Sequence, residues 1–212
     1  QLGETALAVR ASHVLATMLA LAGRTKESDQ LSAQALARAR LGGDLVTQAQ
    51  VLNLLTFHEV DQALQLQRYR EAREALEAAG AVGALPTITG NLGEATGELG
   101  LFRRGLRLLR EAVEAARWQG QQFAQANMAW TLADQEMQLR HFDAARAEGA
   151  EAARLSHALG LSAFLPFADA LEGRILLLEG QPIEAARLLA RACAASDAET
   201  RPGDWIRQHT SL

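Results

Sequence analysis

The sequence predicts an all-α fold, a solenoid of about five stacked helical hairpins. Three observations predict it. The 212-residue chain holds 43 Ala and 35 Leu against 7 Val and 4 Ile, and Ala and Leu are strong helix formers whereas strands favour β-branched residues. Glycines recur near every fortieth residue, at Gly42, Gly80, Gly120 and Gly160, spaced by 38, 40 and 40. Apolar residues step by three and four, in Phe123, Ala126, Trp130, Ala133 and Met137 and again in Phe164, Ala168, Leu171, Ile175 and Leu178, which lays a stripe down one helix face.

Each forty-residue unit reads as two antiparallel helices of about 15–20 residues, each about 25 Å long. The expected repeats are 1–41, 42–80, 81–119, 120–159 and 160–198, forming one domain over 1–198. Residues 199–212 are then a cap or the start of a further repeat, with Trp205 folding back onto the last helices. Gly42, Gly80, Gly120 and Gly160 suit the left-handed position that closes a helix. Gly23, Gly100 and Gly180 mark the inner turns, with Gln67 and Arg140 at the same phase in repeats two and four. Thr25, Tyr69, Phe102, Phe142 and Pro182 then open the second helices, proline being suited to a first turn. Small residues follow at Ser28, Ala72, Gly105, Ala145 and Ala185, and seven further on at Ala35, Ala79, Ala112, Ala152 and Ala192. Small side chains at both places let the two helices of a hairpin approach closely. A lone hairpin cannot bury its faces, but stacked hairpins can.

Composition excludes several classes. A formal charge of −4, from 21 basic and 25 acidic residues, provides no basic field for nucleic acid. No apolar run approaches the roughly 20 residues of a membrane span. With Cys193 as the sole cysteine, no internal disulfide forms, and a reducing, cytoplasmic location is expected. The chain opens at Gln1 within a helical pattern, as a piece of a longer protein would.

Catalytic chemistry is not visible. His13, His58, His141, His157 and His209 lack a His or Cys partner at zinc-ligand spacing. Gly90 to Gly97 resembles a phosphate loop only superficially, since no strand precedes it. Arg103, Arg104, Arg107 and Arg110 form a basic cluster, read either as an acidic docking patch or as a solvated face with Arg107–Glu111 and Arg110–Glu114 pairs. Cys193 reads as inert core, Trp118 as a packing residue and His141 as a solvated turn residue. The expectation is a non-enzymatic segment without cofactor or metal.

The repeats resemble the tetratricopeptide family. Asn91-Leu92-Gly93, Thr96, Gly100, Gly105, Leu109 and Ala112 follow its pattern, as do Leu15-Ala16, Leu19, Gly23, Ser28, Ser32 and Ala35. Repeat four offers Leu132-Ala133, Arg140, Ala145, Gly149 and Ala152, and repeat five Gly173, Leu176, Gly180, Ala185, Leu189 and Ala192. Repeat two is the most degenerate, with Ala72, Leu76 and Ala79. The family repeats every 34 residues or so. The longer period here is similar to that of helical-repeat regions in large bacterial signalling and transcription regulators, where such an array senses an inducer or a partner.

That resemblance implies a right-handed α-α superhelix and a protein- or peptide-binding scaffold, with a small-molecule inducer sensor as the alternative. It also implies a concave groove. Counted back from the inner turns, the groove phases hold Thr17, Asp61, Glu94, Asp134 and Arg174, and one turn earlier His13, Phe57, Gly90, Trp130 and Ala170. The expected groove therefore contains His13, Thr17, Phe57, Asp61, Glu94, Trp130, Asp134 and Arg174, with Trp130 partly exposed. Its row of carboxylates suits a partner with basic and apolar side chains. A homodimer is a further option.

Overall fold

The computed structural model describes residues 2–57 and 59–198. Expectations placed on His58, His209, Trp205 and the 199–212 tail fall outside the described residues. Among those residues the chain is all-α, with helices joined by short turns and no strand. None of these helices is long and apolar enough to cross a membrane.

The chain divides into two compact units, Gln1–Gly100 and Leu101–Leu212. The first contains α1 (Leu2–Leu21), α2 (Thr25–Gly42), α3 (Leu45–Thr56), α4 (Gln62–Ala78), a 3-10 turn at Val82–Ala84 and α5 (Leu85–Glu98). The second contains α6 (Phe102–Trp118), α7 (Gln122–Gln138), α8 (Phe142–Ala158), a 3-10 turn at Ser162–Phe164, α9 (Pro166–Leu178) and α10 (Pro182–Ala198). Consecutive helices pack as hairpins, α1 on α2 and α3 on α4 in the first unit, α7 on α8 and α9 on α10 in the second.

The turn residues do what their chemistry requires. Gly23, Gly100 and Gly180 take left-handed φ of 75°, 77° and 82°, and Arg140, at the same phase, is forced to φ 60° without glycine's freedom. Thr25, Phe102, Phe142 and Pro182 are the first residues of α2, α6, α8 and α10. At the outer turn of the first hairpin the left-handed residue is Gly43 (φ 69°), not the expected Gly42, which is the last residue of α2.

The second hairpin departs from the expected register. Its first helix, α3, has only 12 residues, and α4 already starts at Gln62. Gln67 therefore lies inside α4 rather than at a turn, and Tyr69 is a buried mid-helix residue rather than a helix start. Ala72 lies eight residues before left-handed Gly80, as Ala35 lies before Gly43 and Ala112 before Gly120. Ala72 is thus the later of the two small positions, and Ala79 is the exposed C-cap of α4. Ser28, Ala35, Ala72, Ala112, Ala145, Ala152, Ala185 and Ala192 are all at most 1% exposed.

The first unit buries Val9, Leu36, Val51, Leu52, Leu76 and Ile88 in one cluster. In the second, Leu106, Leu109, Val113, Met128 and Leu132 form one cluster and Trp130, Met137, Phe167, Leu171 and Ile175 another. Arginines on one helix grip glutamates on the next. Arg110 of α6 bonds buried Glu136 of α7, which also takes His141 Nδ1 at 2.7 Å. Arg146 of α8 holds Glu172 of α9 at 2.9 Å and Glu179 at 2.9 Å. Arg110 therefore pairs across helices, not with Glu114 as expected, and His141 has a carboxylate partner although its side chain is 56% exposed. Trp118 is 89% exposed and Cys193 is exposed, so neither is the core residue the sequence suggests. Each lies on the outer side of a helix whose small residues fill the interface.

Burial pushes the Tyr69 phenol up from 10.0 to about 12; a Thr56 hydrogen bond opposes this and the charges of Glu94 and Glu98 add to it. Because the folded state disfavours the phenolate, this contribution is complete below pH 10 and is lost as pH rises toward about 12. At about 1.4 kcal/mol per pH unit the loss is of order 2–3 kcal/mol. Tyr69 is the only tyrosine, so phenolate absorbance follows it alone. Ionisation should coincide with alkaline unfolding, and Tyr69→Phe should postpone that unfolding. A phenol titrating at its ordinary value with helicity intact contradicts the burial argument.

Candidate binding pocket

Three of the expected groove residues meet at one place in the first unit. His13 and Thr17 of α1 and Phe57, the C-cap of α3, line a half-open cavity of about 290 Å³. Ala49, Gln50, Asn53 and Leu54 of α3 form a second wall, Leu76 of α4 contributes one side chain, and Ala84, Thr87 and Ile88 complete it. The walls follow from the helical period, since Gln50, Asn53, Leu54 and Phe57 recur at spacings of three and four and so share one side of the helix.

The lining joins apolar surface to neutral polar groups and contains no Asp, Glu, Lys or Arg. The His13 side chain is half-buried, and its Nδ1 is buried with no hydrogen-bond partner among the described residues. Burial pushes its imidazole below the ordinary 6.5, which keeps the ring neutral at pH 7 with one nitrogen to donate and one to accept. Thr17 Oγ1 donates back to the His13 carbonyl at 3.0 Å. Asn53 Oδ1 accepts from Asn91 Nδ2 of α5 at 2.8 Å, which fixes the amide and leaves its own N–H groups to donate. Such a site can hold an apolar side chain or a compact neutral molecule and hydrogen-bond its polar edge.

The other groove positions behave differently. Asp61 is not on a first helix. It is the exposed N-cap of α4, accepting from the backbone N–H of Ala63 at 2.9 Å and of Leu64 at 3.2 Å. The short α3 moved the phase count, so the residue expected at the groove became a cap. Glu94 is half-buried on α5. Asp134 bonds Arg174 between α7 and α9, and their side chains are 17% and 18% exposed; the two charges offset each other. Trp130 is 4% exposed, packed edge-on to Phe167, and corrects the expectation of a partly exposed groove aromatic. With Asp61 committed to a cap and Asp134 to an ion pair, the three-carboxylate row is not available as drawn from the sequence.

Sequence reasoning missed Gln50, Asn53 and Thr87. One signal could have found Asn53. It precedes Asn91 by 38 residues, about one repeat, so the two amides occupy comparable places on successive first helices. Asp134 and Arg174, separated by 40, carry the same signal with opposite charges.

Among the described residues no group of His, Cys, Asp and Glu is arranged to hold a metal. No protein-family model matches the chain, and no curated protein matches it.

Proposed function

We propose that this chain is a non-enzymatic scaffold for a protein or peptide, serving as the interaction or sensor segment of a larger bacterial regulatory protein. The observation that carries the reading is the first-unit pocket, which offers apolar walls beside uncharged amides, one of them, Asn53, held in place by Asn91. A partner inserts one apolar side chain against Leu54, Leu76 and Ile88. Its backbone carbonyl then accepts from the Asn53 amide N–H, and its backbone N–H donates to the side-chain oxygen of Gln50. The lack of charge in the lining favours an uncharged anchor residue, so a basic group of the partner, if present, lies outside the pocket.

One observation favours a second reading, an inducer sensor for a small molecule. The cavity is compact, at the lower edge of the roughly 300–1,000 Å³ typical of ligand sites, and it has an unpartnered imidazole nitrogen at its wall.

Affinity capture with the whole chain, followed by calorimetry on the captured species, separates the two. Asn53→Ala should weaken binding about tenfold, equivalent to about 1.4 kcal/mol, with helicity unchanged. Phe57→Ala should weaken it comparably. A captured protein or peptide supports the scaffold, and a dialysable compound that raises the melting temperature supports the sensor. If neither variant changes any binding the chain shows, the pocket is not the site.

A further inference from the structure

The outer side of α6, in the second unit, carries arginines that nothing among the described residues neutralises. Arg103, Arg107, Glu111, Glu114 and Trp118 recur at spacings of four, four, three and four and so share one side of the helix. Arg104 flanks Arg107 at a spacing of three. All six are exposed, Trp118 by 89%. The same side is an outer one in the other hairpins. Counted from the first residues Thr25, Phe102, Phe142 and Pro182, Arg103 corresponds to Lys26, Asp143 and Ile183, Arg107 to Gln30, Ala147 and Arg187, and Trp118 to Leu41 and Ala158. Each of these counterparts is exposed, so hairpins do not stack through this side.

Its charges separate α6 from its counterparts. Helices α2, α8 and α10 have Glu27, Asp143 and Glu184 in their first turns, whereas α6 has no acid there and none before Glu111. Carboxylates suit the start of a helix and guanidiniums oppose its dipole, so Arg103 and Arg104 work against the helix that bears them. Arginines elsewhere hold carboxylates, as in Arg24–Glu27, Arg146–Glu172 and Arg191–Asp169, and Arg110 of α6 itself reaches Glu136. Arg103, Arg104 and Arg107 take part in no ion pair or hydrogen bond among the described residues.

The order of side chains along the face indicates its occupant. Three guanidiniums without partners call for carboxylates, which arginine binds in paired hydrogen bonds. At the other end stands an indole in solvent, and indole and guanidinium are the groups that most often anchor protein contacts. Between the two ends lie the acidic Glu111 and Glu114. A nucleic-acid backbone repeats its negative charge at every step, so it would have to run past both acids to reach the indole. A protein segment can change character over that length. Arg103 and Trp118 are fifteen residues apart, about 22 Å along the helix axis, which matches a segment that is acidic at one end and apolar at the other.

We propose that the outer face of α6 docks an acidic segment of a partner protein, with carboxylates on Arg103, Arg104 and Arg107 and an apolar side chain on Trp118. Fluorescence anisotropy on the whole chain tests this with a labelled helical peptide that bears glutamates in its first half and leucines in its second. Its glutamine counterpart, its lysine counterpart and a single-stranded oligonucleotide are measured beside it. The glutamate peptide should bind and should weaken as salt rises. Arg103→Gln with Arg107→Gln should weaken it about tenfold or more, and Trp118→Ala comparably. Arg103→Glu with Arg107→Glu should transfer the preference to the lysine counterpart. Asn53→Ala alters only the first-unit pocket and should leave this binding unchanged, so the docking face and the pocket reading fail separately. A glutamate peptide that binds no better than the glutamine one overturns the proposal, and so does binding that survives loss of the arginines or of the indole. An oligonucleotide that binds as tightly as the glutamate peptide and is lost with the same arginines also overturns it and assigns the face to nucleic acid. The substituted side chains are exposed, so circular dichroism should not change. If helicity falls, the salt dependence and the glutamine counterpart, which need no substitution, decide.

Discussion

Trp130→Ala is expected to destabilise the second unit by about 3–5 kcal/mol, the usual range for emptying a buried indole site. Trp130 is 4% exposed and meets Phe167 with ring centroids 5.9 Å apart at 78°. Phe167 meets Phe164 at 5.4 Å, and Phe164 meets Phe123 at 6.2 Å, so one edge-to-face chain ties α7 to the segment that opens α9. The facing helix makes room for Leu171 beside it. At Gly149 of α8 a β-carbon would lie 2.5 Å from Leu171 and 3.6 Å from the indole. Removing the indole leaves a void that neither Gly149 nor the rings can fill. One feature tempers the loss, for Trp130 Nε1 is buried with no hydrogen-bond partner among the described residues. An unsatisfied donor costs about 1–3 kcal/mol, so Trp130→Phe, which removes it while keeping a ring, should cost much less than alanine. Denaturant unfolding, with hydrogen exchange over α7 to α9, reads both. An alanine variant within about 1 kcal/mol of wild type would mean that the aromatic chain does not hold the unit together.

Helix class and most helix starts were legible because they depend on local chemistry. Thr25, Phe102, Phe142 and Pro182 each follow a left-handed residue by two positions, and that turn geometry repeats wherever glycine, or Arg140 in its place, supplies it. The second hairpin was not legible by the same rule. Its inner turn contains no glycine, its first helix is short, and a fixed phase count carried Asp61 into a groove when its carboxylate closes the start of α4. Aspartate before a helix is itself a cap signal, and it was overridden by periodicity. The burial of Trp130 depends on Phe167 and its neighbours in the same cluster, far along the chain, which no periodicity within α7 reveals. The pocket was legible in part. His13, Thr17 and Phe57 were expected to share a surface and do line one cavity, but Leu76, Thr87 and Ile88 join them only because α4 and α5 fold back against α3.

Ala145→Arg should abolish cooperative unfolding of the second unit. Ala145 is fully buried in α8, in the cluster that holds Ala133, Met137 and Trp130. Its counterparts Ser28, Gly105 and Ala185 are equally small and buried, and the reason is distance. A β-carbon on Gly173 of α9 would come within 3.2 Å of the Ala185 carbonyl of α10, so the two helices of a hairpin nearly touch at this level. Overpacking alone costs about 1–3 kcal/mol. A guanidinium stays charged at any accessible pH and adds the larger cost of an unpaired buried charge. Together these are comparable with the whole stability of a domain of about a hundred residues. Ala145→Ser provides the control. At the equivalent place Ser28 Oγ donates to the Ala16 carbonyl of the facing helix at 2.8 Å, and Ala133 lies twelve residues before Ala145 as Ala16 lies before Ser28. A serine at 145 should therefore find the Ala133 carbonyl and change stability by no more than about 1 kcal/mol. Thermal melts followed by circular dichroism should show the arginine variant losing the second unit's helical transition while the serine variant keeps it. An unchanged melting curve for Ala145→Arg would show that the helices do not meet through these small residues, and the close-approach account of the hairpins would fail.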